Sequence, residues 1–172
     1  MGNLHQLSET EKRNFPEIWE ILKEVVDPEI PVLTIVDMGV VRNIFKTENG
    51  IEVSITPTYS GCPAMEMIAS DITSALIKKG YTNITIKTVL SPAWTTDWIT
   101  DDAKEKLRIY GIVPPEHSSA DKNYLLGNPK VVKCPRCKSE HTEMISQFGS
   151  TACKALWKCV DCKEPFDYFK CI

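Results

Sequence analysis

The sequence predicts an α+β protein in two parts. The first is a small α/β domain, about three helices on a short mixed sheet containing a hairpin, and the second is a C-terminal module of short strands around a metal. Three observations lead there. Apolar residues recur at helical spacing over 16–26 and 65–76, and alternating strands flank Asn49-Gly50. Then Cys134-Pro135-Arg136-Cys137 is followed, after twenty-one residues, by Cys159-Val160-Asp161-Cys162. Each Cys-x-x-Cys pair turns tightly enough to aim two sulfurs at one tetrahedral ion, which makes the four cysteines the pattern of a zinc ribbon. The competing reading is two unrelated redox pairs or two disulfides.

Composition bounds the rest. With 172 residues, 42% hydrophobic and 25% charged, the chain suits a globular domain plus a small module. No run of about 18 apolar residues is present, and Met-Gly-Asn-Leu-His-Gln lacks the apolar stretch of a secretory signal. A cytoplasmic protein without a membrane partner is expected. Seven cysteines, an odd number with four in metal spacing, fit a reducing compartment better than a disulfide framework. Residues 131–172 carry seven Lys/Arg and five Asp/Glu, against thirteen and eighteen in the preceding residues. Zinc with four thiolates contributes a charge of about −2, leaving the module nearly neutral. No basic patch for phosphates remains, so a protein partner is expected and nucleic acid is not. The expected organisation is an N-terminal extension over 1–13, an α/β domain over 14–113, a linker over 114–130 and the ribbon over 131–172.

Along the chain, Ser8-Glu9-Thr10-Glu11 has capping-box spacing, and Asn14-Phe15-Pro16-Glu17 repeats it with proline in the first turn. Ile18, Ile21, Leu22, Val25 and Val26 lay one core stripe along a helix over 16–26. Pro28 disfavours helical geometry at Asp27, and Glu29-Ile30-Pro31 continues as an extended acidic loop. After Val36-Asp37-Met38-Gly39, residues 40–45 and 51–56 read as strands. Ile51, Val53 and Ile55 point inward, and Glu52, Ser54 and Thr56 outward. Asn49-Gly50 joins them and tolerates positive φ at both central turn positions.

Pro57 to Pro63 leads into a second helix that buries Met65, Ile68, Ile72, Ala75 and Leu76 and stops at Gly80. Cys62 then lies at or just before the helix N-terminus, where unpaired amides and the dipole favour an anion and lower a thiol pKa. Two readings fit it: an accessible thiolate, or a small residue packed beneath the loop. Ile84, Ile86, Thr88 and Leu90 alternate as a third strand. Thr100 caps a third helix with Asp101 and Asp102 in its first turn, Lys106 and Arg108 near its end, and Gly111 as terminator. Trp94 and Trp98 form either a lid on the core or a partner surface. Glu116 to Asp121 has linker composition, and His117 within it reads as solvated rather than as a ligand.

In the last module, residues 142–148, 155–157 and 165–170 read as strands, with the cysteine turns at their ends. Such a module is too small to fold on its apolar core alone, and metal binding supplies on the order of 10 kcal/mol. Four protein ligands leave no open coordination position, so Cys134, Cys137, Cys159 and Cys162 make a structural site. Zinc is the expected ion, although tetrahedral sulfur also suits iron or an iron–sulfur cluster. Cys153 beside Lys154 is either a reactive thiol on the flexible 149–154 loop or a packed cysteine.

Asp27-Pro28-Glu29-Ile30-Pro31, Ile35 to Val41 and Thr58-Tyr59-Ser60-Gly61-Cys62-Pro63 resemble the motifs of the cytosolic iron–sulfur assembly family and its bacterial relatives. Ser91 to Trp98 and a ribbon containing Phe148-Gly149-Ser150-Thr151-Ala152-Cys153-Lys154 narrow the match. Nearly the whole chain is similar to the accessory proteins of multicomponent phenylacetyl-CoA epoxidases in phenylacetate catabolism. The resemblance implies maturation of an iron–sulfur or iron centre in the reductase or oxygenase component. It marks Cys62 as the residue that handles transient iron or sulfur. Asp27, Glu29 and Asp37 supply hard oxygen ligands if their loops converge on that thiol. A single cysteine cannot cage a cluster, so transfer is expected in a homodimer or at a site shared with the client. Two other readings stay open: a direct or electron-transfer component of the epoxidase, and a zinc-ribbon adaptor. No dinucleotide loop, flavin motif, paired metal-binding carboxylates or nucleophile–base set is present, so the chain is not expected to be an enzyme.

Overall fold

A computed structural model describes residues 14–59, 61–115 and 131–170. The capping motif at Ser8–Glu11, His117, most of the linker and Cys171 lie outside the described residues. The chain divides into two compact units, 1–94 and 95–172. Among the described residues no helix is long and apolar enough to cross a membrane.

In the first unit, helix α1 spans Pro16–Leu22 and buries Ile18, Trp19, Ile21 and Leu22. Its N-cap is Phe15 at φ 60°, with no side-chain cap, so the motif expected at Asn14 supplies only its proline. The helix is four residues shorter than the apolar stripe predicts. Val25 stays buried, but Val26 is 44% exposed because it has already entered an antiparallel bridge with Thr34. The loop that follows is shaped by Asp27, whose Oδ1 accepts from the backbone N–H groups of Glu29 (2.9 Å) and Ile30 (2.8 Å). Ile30, Leu33 and Ile35 are fully buried beneath it.

Strands β1 (Val41–Lys46) and β2 (Ile51–Ile55) form the expected antiparallel hairpin, with a bulge between Val41 and Asn43. Its connection works differently from the expected turn. Neither Asn49 nor Gly50 has positive φ. Glycine is required at position 50 because an added Cβ would lie 1.9 Å from the Asn83 carbonyl oxygen. That oxygen accepts from Ile51 N at 3.1 Å, and Asn83 Nδ2 donates to Asn49 O at 2.7 Å. The close approach ties the hairpin to strand β3 (Ile84–Thr88), which runs parallel to β2. The sheet order is β1-β2-β3, mixed as expected. Because β2 is central, Ser54 and Thr56, expected outward, are buried as well. At the edge, Ile84 and Ile86 are only half-buried, and Leu90 lies beyond the strand end, 66% exposed.

Helix α2 (Ala64–Lys78) connects β2 to β3, and Ala64, Ile68, Ile72 and Leu76 form its buried row. Met65 and Ala75 are half-buried. Gly80 at φ 89° ends the helix, with Gly80 N donating to Ile77 O and Tyr81 N to Leu76 O. Trp94 is buried, and its Nε1 donates to Met38 O at 2.8 Å, which makes it a lid on the core.

In the second unit, Trp98 is buried in a short 3₁₀ turn, again as core rather than partner surface. Helix α3 (Asp101–Tyr110) is capped as predicted, Thr100 Oγ1 accepting from Ala103 N at 3.1 Å, and ends at Gly111, φ 94°. Strand β4 (Ile112–Val113) pairs parallel with β7 (Pro165–Phe169), so α3 and β4 cluster with the ribbon rather than with the first domain. Strands β5 (Thr142–Ser146) and β6 (Lys154–Cys159) complete a sheet of order β4-β7-β6-β5.

Ile72→Ala, which empties a fully buried position, is expected to lower the unfolding free energy by about 2–5 kcal/mol in denaturant titration. Leu90→Ala at the exposed position should stay within about 0.5 kcal/mol. Gly50→Ala is expected to cost about 1–3 kcal/mol through its clash with the Asn83 backbone. A hairpin as stable as the parent would show that the close approach is not required.

Candidate metal centre and thiol site

The two Cys-x-x-Cys turns are built alike. Cys134 N donates to Ser139 O and Cys159 N to Glu164 O, each at 2.9 Å. Lys138 (φ 65°) and Lys163 (φ 63°) turn left-handed directly after the second cysteine of each pair. The turns face each other with Sγ–Sγ distances of 3.7 Å for Cys134–Cys162 and 3.5 Å for Cys137–Cys159, and all four sulfurs lie within 4.8 Å of one another. A tetrahedral ion with Zn–S bonds of about 2.3 Å has sulfur–sulfur edges of about 3.8 Å. The donor set therefore fits zinc in size and chemistry, and these four thiols are the residues that would hold a metal ion. Across the turns, Arg136 pairs with Glu164 at 2.6 Å, and Ser139 Oγ donates to Asp161. Cys134 and Cys159 are buried in a cluster with Val132, Ala155, Trp157, Phe166 and Tyr168, whereas Cys137 is exposed.

Electrostatics favour a cation there. The Cys159 thiol is drawn down to about 7, chiefly by the Cys162 backbone N–H. Cys162 is pushed up to about 12: the Glu164 amide lowers it, but burial and the neighbouring thiols outweigh that amide. Four sulfurs this close cannot all ionise by themselves, and a divalent ion removes the conflict.

Cys62 sits two residues ahead of α2, half-buried, with its N–H donating to Tyr59 O at 3.3 Å. The expected low pKa is not found. Burial pushes the thiol up, outweighing hydrogen bonds from the Ala64 amide and the Tyr59 side chain, and the Glu29 and Asp27 carboxylates raise it further. The N-cap position belongs to Pro63, so one amide rather than the open helix end serves the sulfur. Of the acidic loop, Glu29 and Asp27 act electrostatically on the thiol, each more weakly than burial and the two hydrogen bonds. Asp37 lies further along, in the turn that begins at Thr34. Its Oδ2 accepts from Thr34 N (3.2 Å), and its own N–H donates to Thr34 Oγ1 (3.0 Å), so it braces the next turn. Tyr59 is the neighbour that sequence reading missed. Its sequence signal is its place in the Thr58–Pro63 motif, three residues before the cysteine.

Cys153 belongs to the second unit and is a packed residue, 5% exposed. Its Sγ lies 3.0 Å from Thr151 Oγ1, and its carbonyl accepts from Lys170 N at 2.9 Å. The 149–154 loop is closed rather than open: Gly149 N donates to Lys154 O at 2.7 Å, and Ser150 Oγ reaches Asp167. Lys154 is buried too, so the exposed thiol beside a lysine is not present.

Alkylation of Cys62, followed by peptide mass spectrometry, is expected to be slower at pH 7 than for a free thiol and to rise with a midpoint above 9.0. Glu29→Gln removes a negative neighbour and should move that midpoint down. A midpoint unchanged by Glu29→Gln would show that its carboxylate does not act on the sulfur.

Comparison with known proteins follows the same division. Residues 16–87 match the family described as iron–sulfur cluster assembly protein, and residues 118–170 match the PaaD zinc beta ribbon domain. A protein of Escherichia coli (strain K12), provisionally named as a component of 1,2-phenylacetyl-CoA epoxidase, is 54% identical over 156 residues, covering 91% of this chain and 92% of that protein. An Fe–S protein maturation auxiliary factor of Bacillus subtilis (strain 168) is 34% identical over 51% of this chain and 87% of its own. A crystal structure of a domain of unknown function from Bacillus anthracis superposes with TM-score 0.51 at 29% identity, over 55% of this chain and 91% of that one. The first of these relatives is thus named as part of an epoxidase, and the second as a maturation auxiliary factor. With the identity running through both units, the chain belongs to the PaaD family of phenylacetyl-CoA epoxidase components, in which an iron–sulfur assembly domain is joined to a zinc ribbon.

Proposed function

We propose that this protein is a maturation factor for a multicomponent phenylacetyl-CoA epoxidase, assisting assembly of an iron–sulfur cluster or iron centre in a reductase or oxygenase component. The observation that carries this reading is the electrostatic meeting of Cys62 with Asp27 and Glu29 inside a domain of the iron–sulfur assembly family. A thiol kept neutral by burial, with carboxylates acting on it, is poised for a cation. Burial and negative neighbours hold the proton on Sγ until positive charge arrives, and the Tyr59 and Ala64 hydrogen bonds support the thiolate once it forms. Soft sulfur from Cys62 and hard oxygen from Glu29 then suit iron in transit. Asp27 shapes the loop through its two backbone hydrogen bonds while adding negative charge. One thiol does not enclose a cluster, so the remaining ligands come from the client or from a second copy of the chain.

In this reading the ribbon carries structural zinc on Cys134, Cys137, Cys159 and Cys162 and helps present the assembly domain to its client. Asp37 and Cys153 serve the fold rather than the cargo.

Cys62→Ser is expected to leave the protein folded and to reduce the client's iron and cluster content to that of cells lacking the protein, read by metal analysis and electron paramagnetic resonance. Unchanged cluster content would overturn the maturation role and leave an adaptor. Elemental analysis should find one zinc per chain in colourless protein, whereas visible absorption with bound iron would overturn the zinc assignment. Chelation is expected to unfold β5–β7, since structural zinc contributes on the order of 10 kcal/mol in small modules.

A further inference from the structure

The cysteines among the described residues differ in what can reach them. Cys134, Cys153 and Cys159 are buried, Cys62 and Cys162 are half-buried, and Cys137 is exposed. Their surroundings differ too. Arg136 and Lys138, on either side of Cys137, are exposed with it. Arg136 is paired with Glu164, but Lys138 has no carboxylate partner among the described residues, its Nζ donating to Pro135 O at 2.8 Å. In the facing turn Cys162 stands between Asp161 and Lys163, and at Cys62 the nearby charges are carboxylates. Reactive cysteines sit in exposed, electropositive surroundings, because the thiolate is the nucleophile and positive charge favours it. Cys137 meets both conditions.

A second sulfur is in place to finish the reaction. Cys159 Sγ, on the opposite turn, lies 3.5 Å from Cys137 Sγ, and Cys159 is fully buried. A disulfide bond of about 2.05 Å asks for only a short approach of the exposed turn.

We propose that Cys137 is an oxidation site, where a hydroperoxide attacks the sulfur, Cys159 closes a disulfide across the two turns, and the ribbon gives up its metal ion. In the first step the Cys137 thiolate attacks the peroxide, the O–O bond breaks, and a sulfenic acid and hydroxide result. The Cys159 thiolate then attacks that sulfur and displaces a second hydroxide, so the two sulfurs lose two electrons and the peroxide takes them. Cys134 and Cys162 are left as two ligands where a structural site needs four. A module folded on its metal loosens when the metal leaves, and a dithiol reductant with fresh zinc restores it.

The test uses the full chain loaded with zinc, the metal being measured before oxidant is added. That zinc belongs to the preceding reading, so a chain without it overturns both. Under substoichiometric hydrogen peroxide, dimedone is expected to trap a sulfenic acid on Cys137 first, read by peptide mass spectrometry. Without dimedone, a disulfide between Cys137 and Cys159 should form as zinc appears on a chromophoric chelator, and dithiothreitol with added zinc should reverse both changes. Cys137→His keeps a three-cysteine, one-histidine ligand set of zinc-ribbon type and should lose the early release, whereas Cys162→His should keep it. First oxidation at another cysteine, zinc retained by the parent in peroxide, or release from Cys137→His as fast as from the parent would each overturn the proposal. Should a histidine variant fail to hold zinc, the peptide mapping of the parent decides alone. None of these readouts depends on a client or on Cys62, so failure in the zinc-loaded chain leaves the maturation role untouched.

Discussion

Four sulfurs confined within 4.8 Å of one another cannot all carry charge without a cation between them, and the second unit is built on that constraint. Its apolar cluster is small and includes two of the cysteines themselves. The two cysteine turns repeat one backbone hydrogen-bond pattern and meet through Arg136–Glu164 and Ser139–Asp161. Those polar links are exposed and contribute little individually. Strands β6 and β7 give Trp157, Phe166 and Tyr168 a common side to pack on, beside Cys134 and Cys159.

The first unit solves a different electrostatic problem. Asp27 is a buried carboxylate, which is costly unless hydrogen-bonded, and the amides of Glu29 and Ile30 meet that need by bending the loop. The bend brings negative charge to a half-buried thiol. Burial first, and the loop's charge after it, therefore keep the Cys62 thiol protonated.

Sequence patterns were legible where the cause is local. Thr100 and Gly111 bound α3 as read, Gly80 ends α2, and the cysteine spacing alone brought four sulfurs together. Reading failed where the cause is distant in the chain. Gly50 answers to Asn83 rather than to its own turn, and Val26 leaves the helical stripe because Thr34 captures it. The second face of β2 is covered because the strand is central. Cys62 was read from its helix terminus alone, whereas burial and carboxylates from another loop decide its protonation. Cys153 looked like a loop thiol because nothing in its neighbours announces that Lys170 and Asp167 fold back to close that loop.

The parallel pairing of β4 with β7 carries a consequence for the order of folding. Ile112 meets Asp167 and Val113 meets Tyr168 across a long stretch of chain, whereas β5, β6 and β7 join through short antiparallel connections. Closing the long loop costs more conformational entropy and yields only two residue pairs. Strand β4 is thus favoured to join last, on a sheet that β5, β6 and β7 have already formed.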